Sequence, residues 1–189
     1  SLLIPVPKTG EGSLLYFYIP NLGDDLPRAL FSLLTAPWLN VGRVQLVYVT
    51  ILLLTFGARM ERDQGTVRTA AVFFVTTFLA AVGAGAGLHL LYPEICDNSS
   101  LRFSWSRAWG GGSAGAFGIL GALAASSRRP ARMLALAAAW EAFVWAVNLL
   151  SYTVAFHYIA LASGFLLARA VPIRPRAADS PGANPGDHS

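Results

Sequence analysis

Two side chains carry the chemistry that this sequence can offer. Ser113 heads a glycine-rich apolar run, Trp109-Gly-Gly-Gly-Ser113-Ala-Gly-Ala-Phe117-Gly-Ile-Leu-Gly121-Ala. His157 holds the corresponding place near the start of another, Tyr152-Thr-Val-Ala-Phe-His157-Tyr-Ile-Ala160-Leu-Ala-Ser-Gly164-Phe-Leu-Leu. A serine hydroxyl becomes a competent nucleophile toward a peptide carbonyl when a neighbouring imidazole accepts its proton. The oxyanion formed in that step would lie near the amino end of the serine's helix, where unpaired backbone N–H groups and the helix dipole favour negative charge. The competing account is a hydrogen-bonded structural serine, common in membrane helices, and a histidine that only packs.

These groups need two helices in contact at one depth. With a rise of about 1.5 Å per residue, counting from the outer ends puts Ser113 and His157 both roughly 5 to 10 Å below the boundary. On its helix His157 shares a stripe with Ala160, Gly164 and Ala168, a small-residue spacing that lets helix backbones approach closely. The serine helix offers Gly115, Gly118, Gly121 and Ala122 in return.

The solvent around those helices is lipid. Of 189 residues 54% are hydrophobic and 13% charged, too little polar sequence to cover a soluble surface. Nearly uncharged runs at 44–58, 69–92, 110–127, 133–153 and 154–168 approach the roughly 20 residues that cross a bilayer, so five spans are expected in an all-α membrane bundle. The net charge of +4 is no argument for a nucleic-acid partner, because the arginines sit between spans. Arg59, Arg62 and Arg68 follow the first span, Arg128, Arg129 and Arg132 the third, and Arg169, Arg174 and Arg176 the fifth. The positive-inside rule places those three regions in the cytoplasm and the 93–109 loop outside, near the two chemical groups.

The expected layout is an extracytoplasmic interfacial loop over residues 1–42, a transmembrane bundle over 43–169 and a disordered cytoplasmic tail over 170–189. In the first of these, Asp25 and Pro27 fit the cap and first turn of a short amphipathic helix. The chain opens on Ser, and an outer amino end has no insertion signal of its own, so an earlier segment, another span, is expected before it. The lone Cys96 gives neither an internal disulfide nor a thiolate metal cluster, and serine chemistry requires no metal or cofactor. Gly111-Gly-Ser113-Ala-Gly115 matches the nucleophile elbow of soluble hydrolases in letters only, for no strand precedes it. The glycine run lacks the Gly-Lys-Ser/Thr ending of a phosphate loop. Glu141 falls mid-span, where a bare carboxylate is costly; protonation, a polar partner such as Gln45, or water are its three outlets, and a structural or water-facing part is favoured over a catalytic one.

With these residues in place, the chain resembles the rhomboid intramembrane serine proteases over about residues 28–169. Gly111, Ser113, Phe117, Gly118 and Gly121 fall in register with the family's serine motif, and His157, Ala160 and Gly164 approximate its histidine motif. Gly57, Glu61 and Gly65 reproduce its Gly-x-x-x-Glu-x-x-x-Gly signature, and Leu34-Thr35-Ala-Pro-Trp38-Leu-Asn40 is similar to the segment leading into that span. The resemblance implies a six-span fold and a Ser113–His157 dyad that cleaves transmembrane protein substrates in the bilayer near their outer ends. A gap beside the fourth span, lined by Trp140, Phe143 and Trp145, is the expected substrate entrance. The chain departs from the family where a His and an Asn usually help to bind the oxyanion: here stand Gln45 and Val49. Gln45 can still donate, and Asn148 is a substitute candidate, while an unreplaced donor would cost roughly 3 to 4 kcal/mol of transition-state stabilisation. The alternative is therefore a catalytically silent relative that binds membrane helices and controls their trafficking or degradation. A small transporter working through Glu141 finds no paired repeats or interrupted helices to support it.

Overall fold

The computed structural model describes residues 14–40, 43–95, 98–147 and 152–171. Two short helices, α1 (Asn21–Asp24) and α2 (Leu26–Thr35), lead through a 3-10 turn at Ala36–Trp38 into α3 (Arg43–Leu52). A π turn at Leu53–Gly57 carries α3 into α4 (Ala58–Gln64), and α5 (Thr66–Ile95), α6 (Ser99–Ser106), α7 (Gly112–Ala125), α8 (Pro130–Val147) and α9 (Thr153–Ala170) follow. No strand occurs among the described residues beyond an isolated bridge between Phe17 and Trp109. Asn148, Cys96 and the tail from residue 172 lie outside the described residues, as do residues 1–13 of the amino-terminal loop.

Among the described residues four helices are long and apolar enough to cross a membrane: Arg43–Gln64, Thr66–Tyr92, Pro130–Val147 and Thr153–Ala170. The expected third span is different, because α7 has 14 residues and so a length of only about 21 Å, against the roughly 30 Å of a hydrocarbon core. Its sequence explains why it still sits at the centre. It is apolar all round, with small residues on every face, and twelve of its residues are buried among α5, α9 and the end of α3. A short helix enclosed by longer ones leaves its first turn at the base of a recess between them.

Glycines set the helix separations. A Cβ on Gly164 would overlap the Gly118 backbone, and one on Gly121 would overlap that of Leu161, so α7 and α9 touch main chain to main chain. Ala160 on the same α9 stripe is fully buried. Gly118 thus meets α9 through its backbone, while an added methyl there would meet Thr76 of α5; the expectation that Gly115 also opens toward α9 needs correcting, since a methyl there would meet Phe73 and Thr77 of α5. The glycines of α7 therefore serve two neighbours, because a 3.6-residue period carries a three-residue spacing around the helix.

Elsewhere local chemistry explains the ends. The Asp25 carboxylate accepts from the Arg28 N–H at 3.1 Å, with Pro27 in the first turn of α2. Gly65, at φ 85°, ends α4, and Glu61 accepts from the Thr66 hydroxyl at 2.6 Å across that turn. The Gly57–Glu61–Gly65 spacing is thus a helix-to-helix turn, in which Arg59 pairs with Asp63 at 3.8 Å while Glu61 bonds to Thr66.

Candidate active site

The loop before Ser113 is pinned from three directions. Phe17 and Trp109 exchange backbone hydrogen bonds of 3.1 and 2.8 Å, and the Gly111 N–H donates to the Ala36 carbonyl at 2.7 Å. Side chains are excluded at Gly110 and Gly111, where a Cβ would stand 2.5 Å from the Leu39 carbonyl oxygen and from Thr77 respectively. No side chain caps α7 at Gly111, so the N–H groups of its first turn face the space beside Ser113 without a capping oxygen.

His157 enters from α9. Its Nε2 lies 2.9 Å from the Ser113 Oγ, and its ring lies flat on Phe117, with centroids 4.5 Å apart and planes 8° from parallel. Phe117 is one turn beyond Ser113, so both project on the same side of α7 and meet the imidazole together. Both Ser113 and His157 are buried. Gln45 of α3 donates its Nε2–H to the Ser113 Oγ at 3.4 Å, a long bond. Val49, one turn further along α3, is buried against Gly112 and offers no polar atom.

Glu141 has a partner that the sequence reading did not name. Of its three expected outlets the polar partner is the one seen, with His157 in the place offered to Gln45: the Oε2 atom stands 2.6 Å from the His157 Nδ1, at 1% exposure, and Oε1 has no hydrogen-bond partner among the described residues. A depth count would have found the pair. Glu141 is six residues from the described carboxyl end of α8 and His157 four from the amino end of α9, distances along the helices of roughly 9 and 6 Å. The signal was the lone carboxylate within lipid depth, which calls for a named partner.

A small cleft of about 30 Å³ opens over the serine, between Gln45, Pro37, Trp109, Phe156 and His157, room for a water molecule or two. Arg107 lines it as well, stacked 3.9 Å over the Trp109 ring and donating to the Thr153 hydroxyl at 3.2 Å. Burial lowers the Arg107 pKa to about 10, so the guanidinium remains charged at neutral pH. A second groove, apolar and open to the lipid side, runs between α3 and α8 along Tyr48, Leu52, Phe56, Leu136 and Trp140. Of the three residues expected at the entrance, only Trp140 lines it; Phe143 and Trp145 are exposed elsewhere on α8.

Among the described residues no cluster of His, Cys, Asp and Glu could hold a metal ion. The Rhomboid domain family model matches residues 27–172, most of the chain. No curated protein and no solved structure matches. The extent of that match, together with four membrane-length helices around a short apolar one, makes the chain a multi-pass integral membrane protein belonging to the rhomboid family of intramembrane serine proteases.

Proposed function

We propose that this protein is an active intramembrane serine endopeptidase that cuts transmembrane protein substrates near their outer ends. Ser113 is the nucleophile and His157 the base. The observation that carries the reading is the 2.9 Å approach of the His157 Nε2 to a buried Ser113 Oγ, at a place where neither group has a simpler structural use. The hydroxyl passes its proton to Nε2 as Oγ attacks the peptide carbonyl, and the imidazolium then protonates the leaving amine. Water hydrolyses the resulting ester by the same exchange in reverse. The oxyanion takes the uncapped N–H groups at the head of α7, with Gln45 as a further donor from α3. Asn148 remains a candidate donor from the outer end of the fourth span.

Substrates reach Ser113 from the lipid through the groove between α3 and α8 and unwind locally, because the cleft over the serine is far too small for a whole helix of about 10 Å diameter and must widen even for an extended segment. The active site faces the extracytoplasmic side and the carboxyl tail the cytoplasm, in keeping with the arginines that follow α4, α7 and α9.

Labelling of the purified protein by a fluorophosphonate tests the reading. The wild type is expected to label, Ser113→Ala not at all, and His157→Ala slower by several orders of magnitude. A wild-type protein that stays unlabelled, or labelling that ignores both substitutions, would remove the protease reading and leave the silent helix-binding relative.

A further inference from the structure

We propose that Glu141 makes the dyad a relay of three, as the positioning residue that holds the His157 ring and sets its tautomer. The proposal rests on the protease reading and extends it to a third helix. Ser113, His157 and Glu141 come from α7, α9 and α8, and they form one continuous line: Oγ to Nε2 at 2.9 Å, Nδ1 to Oε2 at 2.6 Å.

The two distances allow two proton arrangements, and only one of them does chemistry. If Glu141 is ionised, Nδ1–H donates to Oε2, Nε2 carries its lone pair toward Ser113, and the hydroxyl donates into it. If instead the carboxyl held the proton, it would donate to Nδ1. The Nε2–H would then point at Ser113, and the serine could not be deprotonated. A carboxylate next to Nδ1 also places a negative charge beside the imidazolium that forms when the Ser113 proton arrives. That proton then leaves from Nε2 to the departing amine and is not passed to Glu141.

Stability alone gives a poor account of this carboxylate. A buried carboxylate retained for structure has bonds on both oxygens, because each unsatisfied one costs desolvation without return. Here Oε1 lacks a partner among the described residues, and the single strong bond is spent on the base. The other buried member of the α8 stripe, Ala137, is apolar, so an aliphatic residue would serve the packing.

The test uses the whole protein in detergent or liposomes, with fluorophosphonate labelling resolved into its saturation constant KI and its maximal rate kinact. Glu141→Gln keeps shape and an acceptor oxygen but loses the charge, and its kinact should fall on the order of 10²- to 10⁴-fold with KI unchanged, as the matching Asp→Asn change in soluble serine proteases costs about 10⁴-fold. Glu141→Asp restores the carboxylate one methylene short and should recover to within about 10²-fold of wild type. A purely structural role predicts something else, a smaller labelled fraction that follows the folded fraction with kinact intact in both variants, and that result overturns the proposal. Glu141→Gln labelling at the wild-type rate while Ser113→Ala is silent overturns it too and leaves the dyad standing. A wild-type protein that does not label removes both readings together.

Discussion

The two helices beside the candidate site, α7 and α8, are both largely apolar and opposite in how they are held. α7 is enclosed, with its glycines against α5 and α9, and even its amino end is tied through Gly111 to Ala36. α8 has only Ala137 and Glu141 buried, and polar contacts tie it down: Glu141 to His157, the Tyr158 hydroxyl to the Ala138 carbonyl at 3.0 Å, and Trp140 Nε1–H to the Tyr48 hydroxyl at 3.0 Å. The difference teaches how a site that needs water and a bulky substrate is kept inside a bilayer. On the proposed mechanism the nucleophile sits on the enclosed helix. The wall beside it is fastened at Glu141 by the bond to the base, and elsewhere by two neutral bonds, each worth about 1 kcal/mol, that can be released.

The sharpest way to break this comparison is to crowd the tight side. Gly164→Val forces α7 and α9 apart at a main-chain contact, and it should cost about 3 kcal/mol or more and abolish labelling at Ser113; thermal unfolding in detergent measures the first and the fluorophosphonate the second. A fully stable, active variant would show that the close approach is dispensable. Next in size is Gln45→Ala on α3. Loss of one oxyanion donor costs about 10²- to 10³-fold, but a 3.4 Å bond should give the lower end of that range in kinact. No change would leave oxyanion binding to the backbone of α7.

A smaller effect is expected for Phe117→Leu, which removes the stacked support of the imidazole, worth about 0.5 to 1.5 kcal/mol, and should lower kinact about tenfold or less while Ser113 still labels. The loose side gives the mildest outcomes. Trp140→Phe deletes the tie to Tyr48 and should raise cleavage of a membrane-embedded helical substrate about two- to fivefold, with labelling by the small fluorophosphonate unchanged. If both rates change together, α8 is not acting as the wall a substrate must pass. Leu136→Ala, on the exposed face of α8, should alter stability by less than about 0.5 kcal/mol in lipid, far below the crowding of Gly164.

Much of the fold could be read from residue order because lipid demands it. Runs such as 69–92 are uncharged for long enough that no other environment suits them, and their backbone groups must be satisfied within helices. Helix ends were less legible. The expected 133–153 span begins three residues earlier, at Pro130, because proline starts a helix as readily as it stops one, while the described part of α8 runs to Val147. The direction of Gly115 was misread because a small residue faces whichever neighbour comes closest, and the sequence names no neighbours.

By itself the sequence determined most of the helices and their apolar character, since run length and helical period are properties of the chain and need no tertiary information. It also singled out Ser113 and His157, two polar groups in runs that otherwise exclude them. Only the tertiary structure decided that Glu141 meets the far nitrogen of His157, that Gln45 reaches Ser113, and that α7 sinks while α8 stays loosely bound. The reason is geometric: a helix sets a side chain's height and its bearing about its own axis, but which helix stands in that direction follows from the packing of all of them at once.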